Sequence, residues 1–165
     1  MTLYQNTWHL LGKLDALKDQ PLGKQTLARF RRSPQQEDPR LWGFIFNTVT
    51  PESHHEETIL YQILQLYALY QQGSSRCLLS QDQSLMMVLK TYRSDAFDRR
   101  MTRLFTAPTR EDALHQLKQL LKLIKRDQHP FNFAKLAEDL YYFNPQTGLQ
   151  WAKDYYRYSQ KGMEN

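Results

Sequence analysis

Apolar residues return every three or four positions through most of this chain, the spacing that gathers them on one face of an α-helix. Leu114, Leu117, Leu121 and Ile124 keep that step across a long segment, and Lys118, Lys122 and Lys125 stack along the adjoining side. Between Asp95 and Phe105, Ala96, Arg99, Arg100 and Arg103 share one face, while Phe97, Met101, Leu104 and Phe105 fall roughly opposite. The two-residue alternation of a half-buried strand is not convincingly sustained anywhere, so the pattern predicts helices throughout.

Start and stop signals divide this pattern into elements. Thr2 caps a first helix to about Lys18, with Trp8, Leu11, Leu14 and Leu17 among its apolar positions, and Pro21 and Gly23 break it. A short helix from about Lys24 to Arg32 ends in the run Leu27-Ala28-Arg29-Phe30-Arg31-Arg32, and Ser33 to Glu37 reads as a polar loop. Asp38 followed by Pro39 is a cap with proline at the first helical position. The helix it opens carries Leu41, Trp42, Phe44, Ile45 and Phe46 and is expected to lie deep in the core. Ser53 with Glu56 three residues on is a capping box; its helix runs through Ile59, Leu60, Ile63, Leu64 and Tyr67 and stops near Gly73.

Gly73 to Gln83 reads as a linker and subdomain boundary. Helices follow from about Ser84 to Thr91, near 95 to 106, and from Thr109, with Asp112 as its partner signal, to Arg126. Pro130 breaks the last of these. Asn132 caps a helix over Phe133 to Phe143, and Asn144 followed by Pro145 opens a final one to about Gln160. The whole predicts an all-α, compact bundle of about eight or nine helices. It would form one compact domain or two helical subdomains, 1–80 and 84–165. Trp42, Phe44, Ile45 and Leu64 are the expected core anchors.

Composition narrows the class. With 165 residues, 41% hydrophobic and 13% aromatic, the chain can bury a sizeable core without a staple. A single cysteine, Cys77, excludes an intrachain disulfide and any multi-cysteine zinc site. No apolar run approaches the roughly 20 residues that span a bilayer. Met1 to Asp15 lacks the basic and apolar regions of a signal peptide. These features lead us to expect a soluble, cytoplasmic protein.

The balance of 22 Lys and Arg against 17 Asp and Glu is a net charge of +5, with a pI near 9.3. Asp38, Glu52, Glu56, Glu57, Asp95, Glu111 and Asp112 cluster near helix starts, where the macrodipole favours anions. Later turns are left comparatively basic. Two successive helices each bearing a cationic ridge, with the earlier cluster at Arg29, Arg31 and Arg32, point to a polyanion as partner. Lysines and arginines placed for solubility alone are the plainer alternative.

Catalytic signals are absent. Six scattered glycines write neither a P-loop nor a dinucleotide fingerprint. His54, His55, Glu56 and Glu57 form the one dense set of metal-type side chains, but neighbours on a helix point apart and the glutamates suit a helix start. His9, His115 and His129 are isolated, and Cys77 has no nearby histidine. No metal or cofactor is expected. In the aromatic-rich end, Trp151 and Tyr155 stand four apart, which favours core or subunit-interface packing over base stacking; Tyr158 is left open.

From Asp98 onward the residues carry a resemblance. Asp98-Arg99-Arg100-Met101-Thr102-Arg103-Leu104-Phe105, then Leu114 through Arg126, then Phe133-Ala134-Lys135-Leu136-Ala137-Glu138-Asp139-Leu140, are followed by Trp151-Ala152-Lys153-Asp154-Tyr155-Tyr156. This order resembles the C-terminal half of the CasB family, the small subunit of type I-E CRISPR Cascade surveillance complexes. The Trp8 and Leu11 helix, the Leu27 to Arg32 run and the proline-introduced aromatic helix extend the likeness more loosely toward the N-terminus. Ser84-Leu85-Met86 departs from the Ser-Leu-Gly often found in the family.

The resemblance implies a non-enzymatic, all-helical subunit present in two copies in the complex. Its partners would be the other Cascade subunits, the crRNA, the target DNA and a second copy of itself, with no membrane. It would stabilise the R-loop formed by guide and target, with sequence reading left to base pairing. The residues expected to meet nucleic acid are Arg29, Arg31, Arg32, Arg99, Arg100, Arg103, Lys118, Lys122, Lys125 and Arg126, with Lys153 and Arg157 beside them. A helical protein-interaction adaptor that docks an acidic partner is the alternative. An enzyme using His54 or His55 is a distant third.

Overall fold

The computed structural model describes residues 1–32 and 37–157. Within them the chain forms nine α-helices: α1 Leu3–Leu17, α2 Pro21–Arg32, α3 Pro39–Thr48, α4 His54–Gln71, α5 Leu85–Lys90, α6 Asp95–Phe105, α7 Arg110–Ile124, α8 Phe133–Tyr141 and α9 Pro145–Tyr156. A 3₁₀ turn, Lys125–Asp127, continues α7. The all-α expectation holds.

Side-chain caps set most of the boundaries. Thr2, Asp38, Ser53, Ser84, Ser94, Thr109, Asn132 and Asn144 each accept a hydrogen bond from a backbone N–H in the first turn that follows, satisfying a donor the helix itself cannot. The capping box expected at Ser53 closes differently. Glu56 turns its buried carboxylate to the backbone N–H of Glu52 rather than that of Ser53.

α2 begins at Pro21, three residues before the expected start, because proline is tolerated in a first helical turn that needs no N–H. Gly23 then allows α2 to touch the end of α1: a Cβ there would stand 1.8 Å from the Leu17 carbonyl oxygen. α8 ends at Tyr141, two residues before the expected end. The expected end of α9 near Gln160 and Tyr158 lie outside the described residues, as do 33–36 of the predicted polar loop.

α4 is the central element. Eleven of its eighteen residues are buried, as expected of a helix surrounded by neighbours. α1, α2, α7 and α8 pack around it, α3 lies at the edge against α1 and α2, and α6, α5 and α9 extend the core beyond α7. Aromatic rings join α4 to the segment entering α8. Tyr67 and Tyr70 meet Phe133 and Phe131 edge-on at 5.5 and 5.2 Å, and the Tyr70 hydroxyl donates to the His129 carbonyl at 2.6 Å.

One expectation about the core is corrected. Ile45 and Leu64 are fully buried, but Trp42 and Phe44 are only half-buried, and Phe46 is 51% exposed. α3 covers the bundle from outside, so Leu41 and Ile45 alone reach the interior among its large side chains. Trp42 instead stacks on Phe46 and Tyr61 and donates its indole N–H to Glu37 at 2.8 Å.

The segment read as a linker is pinned to the core. Leu78 is buried, Leu79 makes a β-bridge with Phe131, and the Asn132 N–H donates to the Gln83 carbonyl. The Ser84-Leu85-Met86 turn opens α5 with Leu85 and Met86 both buried.

Candidate nucleic-acid interface

α6 presents its arginines to solvent. Met101 and Leu104 are buried beneath it, so Arg99, Arg100 and Arg103 emerge from the face the core does not use, all three exposed. None of the three forms an ion pair among the described residues.

Asp98 holds the helix in this rotation. It accepts from the Tyr155 hydroxyl at 2.6 Å and from Arg93 at 3.3 Å, and the Arg93 guanidinium lies over the Tyr156 and Tyr155 rings. Chiefly through the Tyr155 hydrogen bond, then that of Arg93, the Asp98 carboxyl titrates below its ordinary range. Gly148 of α9 comes so close that a Cβ would stand 2.2 Å from the Phe105 carbonyl oxygen.

α7 lies between α4 and α6, with a groove on each flank. On one side, Arg31 of α2 meets Lys118 and Lys122 of α7 and Lys125 of the 3₁₀ turn around a groove of about 360 Å³. Arg31 donates to the Ala68 carbonyl at 3.1 Å, and burial, helped by Arg32, lowers its pKa. Lys118 is half-buried, and burial, with Lys122 beside it, pushes its ammonium below the ordinary lysine value. Lys125 donates to Gln72 at 3.2 Å.

On the other flank, Arg100 and Arg103 line a groove of about 180 Å³ with His115 and Gln119. Helical spacing carries the exposed crest of α7, through Gln119 and Lys122, from one groove to the other. No carboxylate lines either groove among the described residues.

The remaining candidates line neither groove. Arg29 is half-buried within electrostatic reach of Asp38, and Arg32 is exposed at the end of α2. Arg126 lies 3.9 Å from Asp127. Lys153 borders a surface between α8 and α9 that also carries Glu138, Asp139 and Asp154, and Arg157 pairs with Asp154 at 3.8 Å. The Arg157 carbonyl accepts from Lys90. Those two cations therefore stand in a mixed field.

Phe30, Leu69 and Gln72, which complete the larger groove, carry no signal in the sequence, because three helices distant along the chain assemble it. Trp151 and Tyr155 are buried, and the Trp151 indole donates to Asp139 at 2.9 Å.

The two histidines of the dense set, His54 and His55, make contacts within the fold. His55 bonds through Nε2 to the Tyr141 carbonyl at 2.9 Å and stacks on its ring, while His54 lies 3.7 Å from Glu57. No group of three metal-type side chains is placed to hold an ion among the described residues. No described helix is long and apolar enough to cross a membrane.

The profile of a family described as CRISPR-associated protein Cse2 matches residues 26–156. The chain belongs to the Cse2 family. Solved structures with the same fold include CasB from Thermobifida fusca, at a TM-score of 0.77 and 20% identity over 94% of this chain and 98% of that one. CasB from Thermus thermophilus follows at 0.69 and 24%, over 91% and 97%. A chain of a CRISPR RNA-guided surveillance complex matches at 0.69 and 19%, over 94% of each. No curated protein matches this Cse2-family chain by sequence.

Proposed function

We propose that this chain is a non-catalytic small subunit of a type I-E Cascade surveillance complex that stabilises the crRNA–target R-loop through sequence-independent contacts to the nucleic-acid backbone. The observation that carries this reading is the pair of carboxylate-free grooves flanking α7, which set Arg31, Lys118, Lys122 and Lys125 on one side of that helix and Arg100 and Arg103 on the other. Arginine grips a phosphate through a planar fork and lysine as a point charge, and neither needs base identity. Family membership, and the fold shared with a chain of an RNA-guided surveillance complex, support the assignment to that assembly. Its partners would be the other Cascade subunits, the crRNA, the target DNA and a second copy of this chain.

The test is the salt dependence of binding to single- and double-stranded DNA. Each phosphate neutralised should steepen the log–log slope by about 0.9 on duplex and about 0.7 on a single strand, with unrelated sequences of equal length bound alike. A flat salt response would leave the protein-adaptor reading in its place.

A further inference from the structure

A surface of a different kind lies between α8 and α9. The recess there has a volume of about 730 Å³, twice that of the groove between α2 and α7. Glu138, Asp139 and Asp154 line it together with Lys135 and Lys153. Carboxylates outnumber ammonium groups, so this recess disfavours the polyanion that the grooves flanking α7 suit.

Two large apolar side chains border the recess while standing mostly in water. Tyr142 is 71% exposed and Leu149 52% exposed. α9 buries Gly148, Trp151 and Tyr155, so Leu149 falls off the face that the core uses. A lone exposed apolar residue is ordinary, but two that border one recess from two elements form a patch with a use.

The carboxylates differ in how they are occupied. Asp139 accepts from the Trp151 indole at 2.9 Å and lies 3.1 Å from the Lys135 ammonium. Asp154 accepts from Gln150 at 3.0 Å and pairs with Arg157 at 3.8 Å. Glu138 is half-buried and makes no hydrogen bond or ion pair with the described residues. A carboxylate drawn partly out of water and left unpaired gains more from an arriving cation than one already paired.

We propose that the recess between α8 and α9 is a protein-docking surface. It takes a segment of another Cascade subunit that carries an arginine or lysine for Glu138 beside an apolar side chain for Tyr142 and Leu149. The inference rests on the assignment to that assembly and is independent of the nucleic-acid contacts. A protein fits where a strand does not: interfaces join an apolar, tyrosine-bearing centre to charged groups at the rim, whereas a phosphate backbone would meet three carboxylates here. A second copy of this chain would have to supply the cation from its own basic ridges, the groups that the reading above commits to phosphate.

The experiment titrates the fluorescently labelled chain into the other Cascade subunits preassembled on crRNA, without target DNA, and reads anisotropy. Glu138→Gln combined with Leu149→Ser should weaken incorporation about tenfold or more. The isolated variant should bind a single strand of DNA with the parent's salt slope, since no phosphate contact has been removed. Tyr142→Ser provides the same readout if the double variant loses structure as judged by circular dichroism.

Incorporation of both variants at the parent's affinity overturns the docking surface and leaves the assembly reading in place. A salt slope that falls together with incorporation also overturns it, because the recess would then serve nucleic acid. Self-association of the isolated parent in sedimentation, lost in the variants, gives the recess to a second copy and overturns the choice of partner. Failure of the parent itself to join the other subunits overturns the assignment to the assembly as well.

Discussion

The arginines of α6 and the cations of the groove between α2 and α7 carry the same charge in opposite settings. Arg99, Arg100 and Arg103 stand in water on a helix whose other face is buried. Arg31 and Lys118 are drawn half into the protein, and burial lowers the pKa of each. The exposed set costs the fold almost nothing and can be replaced freely. The groove set is charge that the fold holds at a desolvation cost.

The largest effect should come from reversing the exposed set. Changing Arg99, Arg100 and Arg103 together to glutamate should lower the duplex salt slope by up to about 2.7, at about 0.9 per phosphate contact, and weaken target binding by the reconstituted complex sharply. The melting temperature should stay near that of the parent, since exposed charges contribute only tenths of a kcal/mol. A large drop in melting temperature would show that these arginines support the fold, and the contrast between the two sets would collapse.

Gly148→Ala should do the reverse. Its methyl group would press on the Phe105 carbonyl and force α9 away from α6, at a cost of about 1–3 kcal/mol. Denaturant melts should show that loss while the folded fraction keeps its DNA affinity, because every cation of the two grooves is still present. If affinity falls in step with stability, the seating of α6 on α9 governs how the arginines are presented.

The smallest effect should be seen at Lys118. Its folded-state pKa is depressed, so near neutral pH both folded and unfolded chains hold the proton and the folded state bears the full desolvation cost. Lys118→Met should therefore melt slightly above the parent at neutral pH. As pH rises through the lowered value toward the ordinary lysine value of about 10.4, the parent sheds that cost and the advantage should vanish. Arg103→Met, on the exposed set, should leave the neutral-pH melting temperature unchanged. A Lys118→Met variant that melts below its parent would mean that the ammonium has a stabilising partner.

Much of the helical layout was legible because its signals are local. Asp38-Pro39, Thr109 with Asp112, and Asn144-Pro145 each place a side-chain oxygen where a first-turn N–H needs it, and each opens a helix. The exposure of Arg99, Arg100 and Arg103 followed from the same logic, since their spacing sets them opposite Met101 and Leu104. Trp42 and Phe44 misled for the converse reason. Hydrophobicity says that a side chain can be buried, but whether a helix lies at the centre or the edge depends on what else packs there. α4 took the centre and α3 the edge.

The chain by itself determined that this protein is a helical bundle with basic ridges and a likeness to one family, because periodicity, caps and residue order are properties of neighbours in sequence. Only the tertiary structure decided that Arg31 would meet Lys118 across some ninety intervening positions. It likewise decided that the Leu78 carbonyl and Leu79 would close on Phe131 in the segment entering α8, and that Lys153 and Arg157 would share their surface with Asp154. Those outcomes depend on how α2 and α7 cross the central helix and how α9 seats on α5 and α6, and crossing is set by the fit of whole faces, which no short stretch of residues encodes.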